Sequence, residues 1–188
     1  MKKLLSVVLI IALTFSMIAC SKPDPKASVA GYLNALKAGN IEAMNQYVKP
    51  DSDNEVKEVF NNENDEYSEA FLKAYNKLEY KILSSKVDGD TAIVEAEINA
   101  PNLGEIMTEF MKEALSLAFA SAFSENKSEE EIDDLMNTLL MDKMTSEDMP
   151  MLKKTVKINL VKENDTWIIT PNDDLVDALT GNLASIFN

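Results

Sequence analysis

Leu78-Glu79-Tyr80-Lys81-Ile82, followed by Asp88-Gly89-Asp90-Thr91-Ala92-Ile93-Val94-Glu95-Ala96-Glu97-Ile98-Asn99, is the stretch that decides the fold. Leu78, Tyr80 and Ile82 alternate with Glu79 and Lys81. Beyond the turn-forming Asp88-Gly89-Asp90, Ala92, Val94, Ala96 and Ile98 alternate with Glu95, Glu97 and Asn99. Successive side chains of a strand point to opposite faces, so a period of two with one polar face describes a half-buried hairpin. The pattern returns late in the chain. Val156, Ile158 and Leu160 alternate with Lys157 and Asn159, Glu163-Asn164-Asp165 supplies a turn, and Trp167 and Ile169 lead to Pro171. Two hairpins predict an antiparallel sheet of about four strands, with Trp167 as the large core residue of the last.

Working outward, the residues before the first hairpin have the helical period. Asp24-Pro25 makes a helix start, because proline suits the first helical position. Val29, Tyr32, Leu33 and Leu36 share one face, and Gly39 ends the helix. Asn40 caps a second helix with Ile41, Met44, Tyr47 and Val48, closed by Pro50. Ser52 and Glu55 fit a capping box opening a third with Val56, Val59 and Phe60. A fourth places Phe71, Ala74, Tyr75 and Leu78 inward. At the other end, a helix starting near Asp173 presents Leu175, Val176, Leu179, Leu183 and Ile186. The fold class is therefore α+β: N-terminal helices, an antiparallel sheet and a C-terminal helix.

Between the hairpins, residues 103–149 form an inserted helical pair. Ile106 to Phe123 is apolar over most of its circumference, through Ile106, Met107, Phe110, Met111, Leu115, Leu117, Phe119 and Phe123. Ser128 and Glu131 give a capping box for a second helix with Ile132, Leu135, Met136, Leu139 and Leu140. Such a pair exposes too much apolar surface to stand alone in water. It must pack on the sheet, on its own partner helix, or on something brought from outside.

Helices first, then Tyr80-Lys81-Ile82-Leu83 with Asp88-Gly89-Asp90-Thr91-Ala92, then Asp165-Thr166-Trp167-Ile168-Ile169, is an order that resembles the nuclear-transport-factor-2-like superfamily. More closely, it resembles the bacterial lipoproteins within it that hold domains of unknown function. The resemblance spans roughly residues 27–99 and 152–170. It implies a curved sheet with the helices packed on it, a cone-shaped α+β body whose mouth can be a pocket; the insertion at 103–149 departs from compact members and would fill or roof that pocket. The scaffold hosts enzymes, carriers and interaction modules alike, so it implies no activity.

The N-terminus sets the location. Lys2 and Lys3 precede an apolar run from Leu4 to Phe15, and Ser16-Met17-Ile18-Ala19-Cys20 closes it. A charged start, a run of about 7–15 apolar residues and a small-residue exit describe a secretory signal. A spanning helix needs about 20 apolar residues, and here Ser21-Lys22-Pro23-Asp24 intervenes. The cysteine after Ala19 resembles the lipobox of bacterial lipoprotein signals, with Met17 where leucine is usual. The resemblance implies cleavage before Cys20 and lipidation of its sulfur, residues 20–26 then serving as tether and 27–188 as one domain. An ordinary cleaved signal with a free Cys20 and an uncleaved anchor are the competing readings. Cys20 is the single cysteine of the chain, so no internal disulfide competes for it. Two acyl chains hold a protein on a bilayer where one does not, and the expected location is extracytoplasmic, lipid-anchored to the cell membrane.

Charge narrows the function. The 188 residues contain 32 acids against 18 lysines, no arginine and no histidine, for a formal charge of −14. Phosphate backbones are neutralised by Lys and Arg, so nucleic-acid binding is not expected. The same charge disfavours adsorption to anionic headgroups, leaving membrane contact to the tether. Seven of the ten methionines lie between Met107 and Met151. Thioethers suit Cu(I), yet without histidine or a second cysteine, core filling or an adaptable apolar surface is the better reading. Glu129-Glu130-Glu131 with Asp133 and Asp134 complements a helix N-terminus and lacks the spacing of a calcium loop. Neither a metal nor a cofactor is expected.

An enzyme on this scaffold would need an acid or base beside a pocket tyrosine, for which Tyr32, Tyr47, Tyr75 and Tyr80 are available. Tyrosine on an apolar face is more often core. The expectation is a non-enzymatic protein that binds a small apolar ligand or a protein or peptide partner. Tyr80, Met107, Phe110, Met111, Phe119 and Trp167 are the candidate binding residues. The competing readings are a Tyr/Asp enzyme and a structural lipoprotein without ligand.

Overall fold

A computed structural model describes residues 23–49, 66–122 and 128–186. The stretch expected to be a signal, with Cys20, the helix expected around Val56, and Phe123 lie outside these residues.

The alternating segments are strands. β1 (Glu79–Asp88), β2 (Thr91–Pro101), β3 (Met151–Glu163) and β4 (Thr166–Thr170) form one antiparallel sheet in the order β1-β2-β3-β4. Tight loops set the register of both hairpins. Gly89 takes φ +58°, and Thr91 Oγ1 donates to the Asp88 carbonyl at 2.9 Å. Asn164 and Asp165 both adopt positive φ, at 47° and 61°, as a two-residue type I′ loop requires. The Lys162 ammonium meets the Asp165 carboxylate across that loop at 2.8 Å and holds its pKa below the ordinary carboxylate value.

One face of the sheet is the core. Val94, Ala96 and Ile98 of β2, Val156, Ile158 and Leu160 of β3, and Trp167 and Ile169 of β4 are buried on it. Helix α1 (Pro25–Lys37) lies across this face with Val29, Tyr32, Leu33 and Leu36 turned inward. Its start is as expected: Asp24 accepts from the Lys26 amide at 2.9 Å, with Pro25 in the first turn. Pro25 and Lys26 thus belong to the helix. Helix α6 (Asp173–Thr180) covers β2 and β3 with Leu175, Ala178 and Leu179. The small Ala92, Ala96 and Ala100 of β2 leave room for these helices. Each fully buried Leu, Ile or Val contributes about 1.5–3 kcal/mol.

Three details depart from the periodicity. Helix α2 spans only Ile41–Asn45, and Val48, expected on it, makes a parallel bridge to Ile169. Lys49 donates to the Ile169 carbonyl and Ile169 to that of Tyr47, so segment 47–49 closes the outer edge of β4. In β1 the register shifts between Ile82 and Ser84, and the intervening Leu83 is exposed; a bulge of this kind blunts an edge strand. The C-terminal helix does not run to Ile186. Gly181, in the left-handed conformation at φ 64°, ends α6, and Leu183–Ile186 form a 3-10 turn.

Candidate functional site

Helix α3 (Glu66–Tyr75) leads into β1; α4 (Leu103–Ala122) and α5 (Glu129–Thr145) form the expected hairpin between the sheet's two halves. The root of α4 is fixed firmly. Asn102 Oδ1 accepts from the Glu105 amide, Asn102 Nδ2 donates to the Glu105 carboxylate at 2.8 Å, and Leu103 and Ile106 are buried. Gly104 lies so close to the end of α6 that a Cβ there would sit 2.2 Å from the Gly181 carbonyl oxygen. At its own start α5 has the reciprocal Ser128–Glu131 capping box, with the Ser128 amide donating to Glu131 at 2.8 Å.

Two contacts define how the pair packs. Lys143 of α5 reaches Glu113 at 2.8 Å and Glu109 at 3.4 Å on α4. The Glu113 hydrogen bond foremost raises the Lys143 pKa, partly opposed by the loss of water around the ammonium. On its other side α5 packs against α3, where the Tyr67 hydroxyl donates to Asn137 Oδ1. Just beyond α3, Lys77 caps the end of the α5 turn by donating to the Ser146 carbonyl at 2.6 Å. A groove of about 520 Å³ separates α3 and α5, lined by Glu69, Lys73, Asp134, Asn137, Thr138 and Met141 among others. Its lining is polar and holds charges of both signs on exposed side chains, with no buried acid that could act as a tuned acid or base.

Sequence reasoning left three possible covers for the apolar circumference of α4. The main neighbours of α4 among the helices and strands are α5 and the terminal 3-10 turn, not the sheet. One face of α4 is open. Met111, Leu115 and Phe119 are 52%, 59% and 61% exposed. Their i, i+4, i+8 spacing places them in one row, roughly 12 Å long at 1.5 Å per residue.

The six candidate binding residues do not converge. Tyr80 is half-buried on edge strand β1, its hydroxyl donating to Asn34 Oδ1 at 3.0 Å. Trp167 is buried on β4, the opposite edge, and its indole N–H is spent on the Pro23 carbonyl at 2.8 Å. Met107 and Phe110 are half-buried on α4, whereas Met111 and Phe119 lie in the open row. Of the six, Met111 and Phe119 are exposed on α4, whereas Tyr80 and Trp167 lie on opposite edges of the sheet. Leu115 completes that row; its four-residue spacing from Met111 and Phe119 was the signal that could have found it.

The methionine-rich run also divides. Met144 and Met149 are buried in the core, and Met141 and Met151 pack against it. Among the tyrosines, Tyr32 and Tyr75 are buried. Burial pushes the Tyr32 hydroxyl up to about 12, and raises Tyr75 through desolvation first and the neighbouring Tyr32 second. Among the described residues the buried polar side chains are Ser28 and Ser68, and no acid is buried. Nor does any described cluster of three or more His, Cys, Asp or Glu side chains come close enough to hold a metal. No helix among the described residues is long and apolar enough to cross a membrane.

No protein-family model matches the chain. No curated protein matches it in sequence. Among solved structures it is similar to the crystal structure of a putative lipoprotein (ycdA) from Bacillus subtilis subsp. subtilis str. 168, with 16% identity and a TM-score of 0.45. That similarity covers 79% of this chain and 44% of the other, so the chain spans less than half the length of this neighbour.

Proposed function

We propose that the chain is a lipid-anchored, extracytoplasmic bacterial lipoprotein of nuclear-transport-factor-2-like type that acts by binding a protein or peptide partner, not by catalysis. The observation that favours this reading is the open row Met111, Leu115 and Phe119 on a hairpin that leaves the sheet. Exposed contiguous apolar surface rimmed by polar residues is characteristic of partner sites. The sheet's inner face argues in the same direction. It is filled by α1 and α6, so the interior favours packing over a lodged small molecule. A binding role also accords with tyrosines that stay neutral and have no buried acid beside them among the described residues. The anchor is argued from Met1–Cys20 alone.

Two experiments test the two halves. Cys20→Ser should abolish incorporation of an alkyne-labelled fatty acid and release the protein from the membrane fraction; unchanged labelling would overturn the anchor. A photo-reactive amino acid at Leu115 should crosslink a discrete partner in living cells, whereas the same group at exposed Thr155 should not. Equal or absent crosslinking at both positions would overturn the docking site.

A further inference from the structure

Resting on the docking reading, we propose that the partner of the α4 row is a cationic amphipathic helix. The row itself sets the shape. Met111, Leu115 and Phe119 project from a helix whose own amides and carbonyls are paired internally, so α4 offers no backbone groups to an incoming chain. A strand or loop laid on it would bury unpaired backbone polar groups, and each such group costs free energy. A helix satisfies its own backbone and packs its i, i+4 ridge beside that of α4. Apolar small molecules prefer concave sites, and this row is convex.

Charge sets the sign. Residues 103–122 and 128–145, the described hairpin, hold nine carboxylates against two lysines. Lys143 is already engaged by Glu109 and Glu113, leaving Lys112 as the other cation. The acidic start of α5, with Glu130, Glu131, Asp133 and Asp134 exposed, belongs to the same hairpin. A second copy of this chain would bring the same negative hairpin, and an anionic bilayer would be repelled likewise. Lys or Arg side chains flanking an apolar face meet this field favourably within a Debye length of about 8 Å at physiological salt.

The test uses the full-length protein in neutral nanodiscs, with empty nanodiscs as reference. The probes are two fluorescent 18-residue helical peptides sharing one leucine face, one with lysine and one with glutamate at every other position. The lysine peptide should bind. Its affinity should fall at least tenfold in Leu115→Ser/Phe119→Ser, and severalfold between 50 and 500 mM salt. Equal binding of the glutamate peptide would overturn the charge assignment while leaving a docking row. Lysine-peptide binding that ignores the double substitution would overturn the site, showing non-specific attraction to the acidic surface. Failure of both peptides to bind, with Leu115 still crosslinking in cells, would overturn the cationic-helix assignment while leaving a docking row. Sedimentation of a dimer that Leu115→Ser/Phe119→Ser dissolves would give the row to a second copy and overturn the proposal.

Discussion

The indole Nε1 of Trp167 donates to the carbonyl of Pro23 at 2.8 Å, tying the incoming chain to the last strand across 144 residues of sequence. Pro23 lies three residues after Cys20, and three residues span at most about 10 Å. If Cys20 bears lipid, the body is therefore held close to the bilayer, entering at the β4 edge. Trp167→Phe removes the donor while keeping an aromatic ring in the core. It should lower stability by about 0.5–1.5 kcal/mol for the hydrogen bond, plus a smaller packing loss. Amide exchange at Lys26–Ser28 should accelerate, because the helix start loses its fixed entry. Unchanged exchange there would mean that Pro23 is held by other contacts.

How far the sequence disclosed this arrangement depended on range. The inward set of β2 and β3 was legible, since alternation is local and Ala92 through Ile98 repeat it without interruption. Capping of α1, α2 and α5 was legible for the same reason: each cap side chain accepts from an amide two or three residues further on. Burial of Trp167 was expected; its Pro23 partner was not, because nothing local links the two. Val48 was read as helical from its spacing, but a long-range bridge to Ile169 outcompetes a five-residue helix with little nucleation strength. On α4 the apolar breadth was plain, yet breadth cannot say which neighbour covers it. Sequence therefore named Met111 and Phe119 as candidates without showing that they stay exposed.

Gly104 and Gly181 interlock the inserted hairpin with the C-terminal helix. A Cβ on Gly104 would meet the Gly181 carbonyl at 2.2 Å, and one on Gly181 would meet Asn102 Oδ1 at 2.3 Å and the Asn102 Cα at 2.6 Å. The Gly181 carbonyl and the Asn102 Cα are backbone atoms and cannot swing away. Gly104→Ala should cost about 1–3 kcal/mol by overpacking. Gly181→Ala adds the penalty of an L-residue at φ 64° and should cost more, by roughly 1 kcal/mol. Chemical denaturation of the two variants checks the order. Equal costs would mean that backbone conformation contributes nothing beyond the clash.

Alkaline pH should find a specific weakness. In the unfolded chain tyrosines titrate near 10, whereas burial raises Tyr32 to about 12 and Tyr75 likewise upward. Their protonated forms therefore support the fold fully below pH 10, and this support is lost as pH climbs through the folded values. Each tyrosine adds a slope of up to about 1.4 kcal/mol per pH unit in that window. Stability from pH 7 to about 9.5 should be flat with respect to these groups. Tyr75→Phe should lose about 1 kcal/mol at pH 7, because its hydroxyl donates to the Leu179 carbonyl at 3.0 Å near the end of α6. The same variant should show a shallower decline above pH 10. A parallel decline in both proteins would assign the alkaline loss to other groups.

Two positions on α4 should respond very unequally to truncation, and the contrast separates a packed face from an open one. Ile106 is 2% exposed at the root, wedged into the core. Ile106→Ala should cost about 2–5 kcal/mol through lost burial and a residual cavity. Leu115, on the same helix, keeps most of its surface in water, so Leu115→Ser removes little burial and should change stability by no more than about 0.5 kcal/mol. Fewer exposed apolar atoms should also make that variant less prone to self-association at high concentration. Urea midpoints for both variants, with light scattering for the second, check the pair. A loss at Leu115 approaching that at Ile106 would mean the row is already covered in the folded chain, and no docking surface would remain.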